Sequence, residues 1–152
     1  MIDVKDIEAA QKAWGEGVVA IGSASSWEES HARAVAFVTK RYALGDAALL
    51  FCPTKAREVQ FRGTLDDAVS YFVGRDARHA EDGGFALQPW AAVRFENAGV
   101  VCGEEVALAM GNYFFKDTDG VELKVEYSFA YVRGSDGDLQ VQLHHSALPY
   151  SG

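Results

Sequence analysis

Leu139-Gln140-Val141-Gln142-Leu143-His144-His145-Ser146-Ala147-Leu148-Pro149-Tyr150 ends the chain and reads as its last strand. Polar groups that exchange protons are strung along what otherwise looks like a core strand, and such groups need partners if buried. The segment is therefore a candidate for a site as well as for structure. By strand parity Leu139, Val141, Leu143 and His145 share one side, and Gln140, Gln142, His144 and Ser146 the other. His144 and Ser146 are expected to act together. Adjacent His144 and His145 are expected to face apart unless a bulge intervenes. On this parity His144 and Ser146 face either solvent or a pocket that also holds two glutamines.

Working back from that strand, Val121 to Arg133, Val106 to Lys116 and Phe85 to Val101 are three more strand candidates. Asp117-Thr118-Asp119-Gly120 and Ser135-Asp136-Gly137 read as hairpin turns. In Val121 to Arg133, Leu123, Val125, Tyr127, Phe129 and Tyr131 alternate with Glu122, Lys124, Glu126 and Ser128, the pattern of a sheet with one buried face.

The first half is helical. Val4, Ile7, Gln11, Trp14, Val18 and Ile21 recur at helical spacing, which predicts a helix over about residues 3 to 22 with Asp3 as its cap. Ser26-Trp27-Glu28-Glu29 is a capping box that opens a second helix to about Tyr42, with Trp27, Val35, Val38 and Tyr42 as its buried stripe. Ala48 to Cys52 reads as a short strand closed by Pro53-Thr54. Thr64-Leu65-Asp66-Asp67 caps a third helix carrying Tyr71 and Phe72, and Arg75 to Gly84 reads as a loop. Helices followed by a long antiparallel meander predict one α+β domain over residues 1–152, with a curled sheet covered by the N-terminal helices.

Composition narrows the function. The 152 residues are 49% hydrophobic, enough for a real core, and the formal net charge is −8. So acidic a chain, without a basic run, is a poor partner for nucleic acid. No apolar run approaches a membrane span. The start, Met1-Ile2-Asp3-Val4-Lys5-Asp6, does not read as a signal peptide. Cys52 and Cys102 sit in apolar stretches outside any CxxC and read as two buried thiols, which fits a cytoplasmic setting.

Helices first, then a curled sheet ending in His-His-Ser-x-x-Pro, resemble the cone-shaped NTF2-like superfamily. Its SnoaL-like proteins and the association domain of calcium/calmodulin-dependent protein kinase II are general relatives. A narrower resemblance is to the iota-class carbonic anhydrases. It rests on Trp14-Gly15-Glu16-Gly17, Pro53-Thr54-Lys55-Ala56, Ser70-Tyr71-Phe72-Val73-Gly74, Gly84-Phe85-Ala86-Leu87-Gln88-Pro89-Trp90 and Arg94-Phe95-Glu96-Asn97. Ala107-Leu108-Ala109-Met110-Gly111-Asn112-Tyr113, Lys124-Val125-Glu126-Tyr127 and the closing His144-His145-Ser146-Ala147-Leu148-Pro149-Tyr150 extend it over nearly the whole chain. One departure is Ala147, where a second serine is common in that family. The resemblance implies reversible hydration of carbon dioxide to bicarbonate, without a metal in some members and linked to manganese in others. It implies Thr54, Tyr71, His144 and Ser146 as functional residues. Fold analogy implies a homodimer or a larger homo-oligomer.

The residues can be weighed against that chemistry directly. A zinc hydroxide needs three or four converging ligands. Of the four histidines, His31 lies on a helix, His79 in a loop, and parity splits His144 from His145. Without a metal, Thr54, Tyr71 and Ser146 would hold water or bicarbonate in a fork of hydroxyls, and His144 would be a proton acceptor. Each also has an ordinary structural reading: Thr54 a turn residue, Tyr71 core, His144 and Ser146 satisfied strand residues. Two alternatives of the same fold stand beside the enzyme. One is a non-catalytic assembly module. The other is an isomerase-like enzyme on a larger carbonyl substrate, with Glu126 as its base.

Overall fold

In the computed structural model, which describes residues 1–152, helix α1 spans Val4–Gly22 and opens with a reciprocal capping box. The Asp6 amide donates to Asp3 Oδ1 at 2.9 Å and the Asp3 amide to Asp6 Oδ2 at 3.0 Å. Ser26 caps α2, Trp27–Arg41, by accepting the Glu29 amide at 3.1 Å. Thr64 caps α3, Leu65–Val73, by accepting the Asp67 amide at 3.2 Å. Of the expected stripe of α1, Ile7, Gln11, Trp14, Val18 and Ile21 are buried, whereas Val4, in the first turn, is exposed. In α2, Val38 and the following Tyr42 are buried, whereas Trp27 and Val35 are half-buried.

Five strands follow or interleave: β1 Leu50–Cys52, β2 Trp90–Val101, β3 Val106–Asp117, β4 Glu122–Arg133 and β5 Leu139–Ala147. Their order in the sheet is β1-β5-β4-β3-β2. The four long strands form the expected antiparallel meander, and β1 adds to its edge parallel to β5. Register shifts between Asn97 and Gly99 and between Ala130 and Tyr131 bend the strands, so the sheet curls around the helices. At the first of these the backbones crowd. A Cβ on Gly111 would stand 2.1 Å from the Glu96 carbonyl oxygen, so only glycine fits there.

The concave face carries Ala107, Ala109, Tyr113 and Phe115 from β3 and Val125, Tyr127, Phe129 and Tyr131 from β4. The parity expected of β4 holds along its length. That of β5 does not. Ala130 pairs with Leu143 and Tyr131 with Val141, which leaves Gln142 as the unpaired residue of a bulge. Leu139 and Val141 face the core before the bulge, and His144 and Ser146 face it afterwards, while His145 is exposed. The extra residue resets the alternation, so His144 and Ser146 do not share a side with the glutamines.

Three smaller expectations are also corrected. Phe85–Leu87 is a 3-10 turn, and β2 begins only at Trp90, after Pro89. β1 is shorter than Ala48 to Cys52, because Leu50 is its first residue paired to β5. Cys52 and Cys102 are free thiols, half-buried rather than buried; Cys52 is the last residue of β1 and Cys102 directly follows β2.

Candidate active site

The parallel pairing of β1 with β5 sets Phe51 beside His144 and Cys52 beside His145. The chain then turns at Pro53, and Thr54 Oγ1 comes to rest 2.5 Å from Ser146 Oγ. β3 brings Tyr113 to the same place: its hydroxyl lies 2.5 Å from Ser146 Oγ and 3.0 Å from His144 Nε2. On the far side of the imidazole, the Tyr42 hydroxyl lies 2.9 Å from His144 Nδ1 and accepts from Trp14 Nε1 at 3.0 Å. α3 supplies Tyr71, whose oxygen accepts the Lys55 amide at 3.2 Å.

Thr54, Tyr71, Tyr113, His144 and Ser146 meet around a cavity of about 10 Å³, room for about one water. Its polar lining is Thr54, Tyr71, Tyr113, His144 and Ser146, and its walls are Trp14, Phe51, Phe72, Phe85 and Phe115. No carboxylate lines it. Beyond Tyr71 and Phe85, which line both spaces, an outer cavity of about 440 Å³ opens beside Lys55, Glu81 and Asp82. Its wall is pinned from beneath. Arg62, wholly buried, donates to both oxygens of Asp82 at 2.7 and 2.8 Å, and Ser70 Oγ donates to the same carboxylate at 2.5 Å.

Electrostatics assign the protonation states. Burial, with His145 adding repulsion, lowers the His144 pKa from 6.5 to about 3, so the imidazole is neutral at ordinary pH. Burial raises the phenols of Tyr42, Tyr71 and Tyr113 well above their usual range, so all three remain O–H donors. The Lys55 amide, donating to the Tyr71 oxygen at 3.2 Å, softens that rise.

All four residues singled out in the sequence meet here: Thr54, Ser146 and His144 belong to one connected chain of hydrogen bonds, and Tyr71 lines the same cavity. His144 takes part differently from expectation. Both ring nitrogens are already engaged by tyrosines, so neither is free for a molecule in the cavity. Tyr42 and Tyr113 were not among the expected site residues. The signal for Tyr113 was its inward parity with Phe115, because a phenol on a core face must find a partner for its hydroxyl.

The other candidates lie elsewhere. His31 is exposed and stacks on Trp27 at 5.1 Å, and His79 pairs with Asp67 at 2.7 Å. Glu126 is exposed on the convex face of the sheet, where it lines a hollow with Ser128 and His145 that shares no residue with the concave-side cavities. No three His, Cys, Asp or Glu side chains gather to hold a metal ion.

The sequence matches the family model described as metal-independent carbonic anhydrase over residues 5–148. A metal-independent carbonic anhydrase from Nostoc sp. (strain PCC 7120) is 36% identical over 153 residues, which cover 98% of this chain and 75% of the Nostoc protein. A solved iota-carbonic anhydrase from a cyanobacterium, complexed with bicarbonate, superposes with a TM-score of 0.96 at 35% identity, covering 99% of this chain and 94% of that one. An NTF2-like protein with a cystatin-like fold from Novosphingobium aromaticivorans superposes with a TM-score of 0.62 at 11% identity. It covers 99% of this chain and 84% of its own, and at that identity the likeness concerns the fold alone.

Proposed function

Because the chain belongs to the metal-independent carbonic anhydrase family, we propose that Thr54, Tyr71, Tyr113 and Ser146 form the pocket in which it interconverts carbon dioxide and bicarbonate. The observation that carries this reading is the convergence of the Thr54, Ser146 and Tyr113 hydroxyls, in steps of 2.5 Å, on a cavity otherwise walled by aromatic carbon. Apolar walls suit a nonpolar gas, and fixed hydroxyls suit the oxygens of water and bicarbonate.

In hydration, a water oxygen forms a bond to the carbon of carbon dioxide. One C=O π pair moves onto its oxygen, and the water gives up one proton, leaving bicarbonate. Negative charge thus develops on oxygen. O–H donors already aimed at that oxygen stabilise it without having to reorganise, and the dry aromatic setting strengthens each bond. The inner cavity has room for about one water, so carbon dioxide meets that water where the space opens past Tyr71 and Phe85, and holding the two there removes most of the entropic cost of their meeting. His144 does not touch the reacting atoms; its role is to hold Tyr113, and through it Ser146, in place. The proton leaves through the outer cavity to solvent; Glu81 and Asp82 line that cavity, but their carboxylates already accept from backbone amides and from Arg62 and Ser70. Positioning and hydroxyl donors carry the rate here, with no metal hydroxide, so turnover is expected to fall below that of a zinc enzyme.

A stopped-flow pH-indicator assay on chelator-treated, metal-analysed protein tests this. Hydration above the buffer rate is expected to persist. Activity that vanishes on chelation and returns with manganese would sink the metal-free pocket.

The convex face supports a homodimer as the working form. Val106, Leu108 and Met110 are exposed on one strand, with Val101 beside them, an apolar surface suited to a second copy. Sedimentation velocity showing only monomer at micromolar concentration would rule this out.

A further inference from the structure

Tyr42 lies behind His144, out of the cavity, yet it ends the buried chain of hydrogen bonds that begins there. The polarity of that chain can be worked out from its closed end. An indole N–H donates and cannot accept. Trp14 Nε1 donates to the Tyr42 oxygen at 3.0 Å, so Tyr42 must place its own proton on its other polar neighbour, His144 Nδ1, at 2.9 Å. The neutral imidazole therefore carries its proton on Nε2. That N–H donates to Tyr113 at 3.0 Å, and Tyr113 donates to Ser146 Oγ at 2.5 Å. Ser146 in turn donates to Thr54 Oγ1 at 2.5 Å. Each hydroxyl has one proton, so the order is set from Trp14 as far as Tyr113, and Thr54 is the remaining side-chain partner for the Ser146 proton. Running the chain backwards would leave the wholly buried Tyr42 hydroxyl with a proton and no acceptor.

Two protons are left over at the cavity. Thr54 accepts from Ser146 and Tyr71 accepts from the Lys55 amide, and neither hydroxyl proton is taken by a protein acceptor. Both residues line the cavity with an O–H to give. We propose that Trp14 and Tyr42 are positioning residues that lock the proton order of this chain, so that Thr54 and Tyr71 meet the cavity as donors and the site selects an anionic oxygen. The proposal rests on the pocket being the catalytic one, and it adds a constraint: the chain is a dead end for protons. A proton arriving at Thr54 cannot pass through His144 to Trp14, because the indole has nowhere to put it. The proton released in hydration therefore leaves past Tyr71, and His144 is no part of its route.

The direct test is the tautomer of His144, read from long-range proton–nitrogen spectra of the imidazoles in the intact protein. The Nε2–H form is expected, unchanged from about pH 6 to about pH 9. An Nδ1–H ring or an imidazolium in that range overturns the proposal. In Tyr42→Phe the donor to Nδ1 is gone. A mixture of tautomers is expected, with bicarbonate binding and kcat/KM for hydration each falling about tenfold, the scale of one ordinary hydrogen bond. A folded Tyr42→Phe protein that keeps tautomer, affinity and rate also overturns it. Should that variant fail to fold, the wild-type spectrum still decides. Wild-type protein that shows the Nε2–H ring and binds bicarbonate but hydrates no carbon dioxide supports the proton order and removes the catalytic reading instead.

Discussion

The ring of Phe129 stacks on the imidazole of His144 at 4.1 Å and 19°. Phe51 covers the opposite face at 4.9 Å and 9°, so the histidine is enclosed between two hydrocarbon plates. A charged imidazole has no solvation there, and its partners above and below the ring edge are phenols rather than carboxylates.

Acid should therefore unfold this protein from an unusually high pH. The folded pKa of His144 is about 3 against 6.5 for the free side chain, so below 6.5 the unfolded chain binds a proton that the folded chain refuses. Stability from this source is complete above about pH 6.5 and drains away as pH falls toward about 3. Denaturant midpoints are expected to drop between about pH 7 and about pH 5, and to drop less in His144→Gln. Equal pH dependence in both proteins would contradict the buried neutral ring.

Ser146→Ala removes the acceptor of Tyr113 and the donor of Thr54 in one change. Turnover is expected to fall about 100-fold or more, the scale seen when an oxyanion donor is lost. Stability should fall by about 1–3 kcal/mol, because the Tyr113 proton is left without a partner. Stopped-flow rates and denaturant melts separate the two effects. Full activity in Ser146→Ala would return the residue to a purely structural role.

Phe85 stands between the small inner cavity and the large outer one, stacked on Tyr71 at 5.6 Å. Phe85→Ala is expected to merge the two spaces and admit anions larger than bicarbonate. Benzoate should then inhibit the variant and spare the wild type. Identical benzoate inhibition of both proteins would show that the ring does not limit entry.

Arg62 and Asp82 form a buried ion pair beneath the outer cavity. Arg62→Met leaves Asp82 charged and unpaired, and is expected to cost about 3–5 kcal/mol. Pairing it with Asp82→Leu should recover much of that loss in thermal melts. A single variant as stable as the wild type would mean the pair does not hold the loop.

The elements were largely legible from local signals. Asp3, Ser26 and Thr64 each cap a helix as their positions predict, and the alternation from Leu123 to Tyr131 marks the core face of β4. What failed was long-range. Alternation could not reveal that Gln142 is a bulge, because a bulge is defined by the partner strand and not by its own sequence. Nor could a three-residue segment such as Leu50–Cys52 announce that it would pair parallel with a strand more than 90 residues away. Motif resemblance pointed to Thr54, Tyr71, His144 and Ser146. Their arrangement, with His144 sealed by Tyr42 and Tyr113, depends on that distant pairing.

The edge strand β1 has a consequence for how the protein loses its activity. Only three residues tie it to the sheet, yet it delivers Thr54 to Ser146 across a sequence separation of 92. The meander can remain folded while this short border peels off, since sheet edges open at lower free energy than sheet centres. Inactivation by denaturant should then precede the loss of sheet structure, and the last event of refolding should be the return of catalysis.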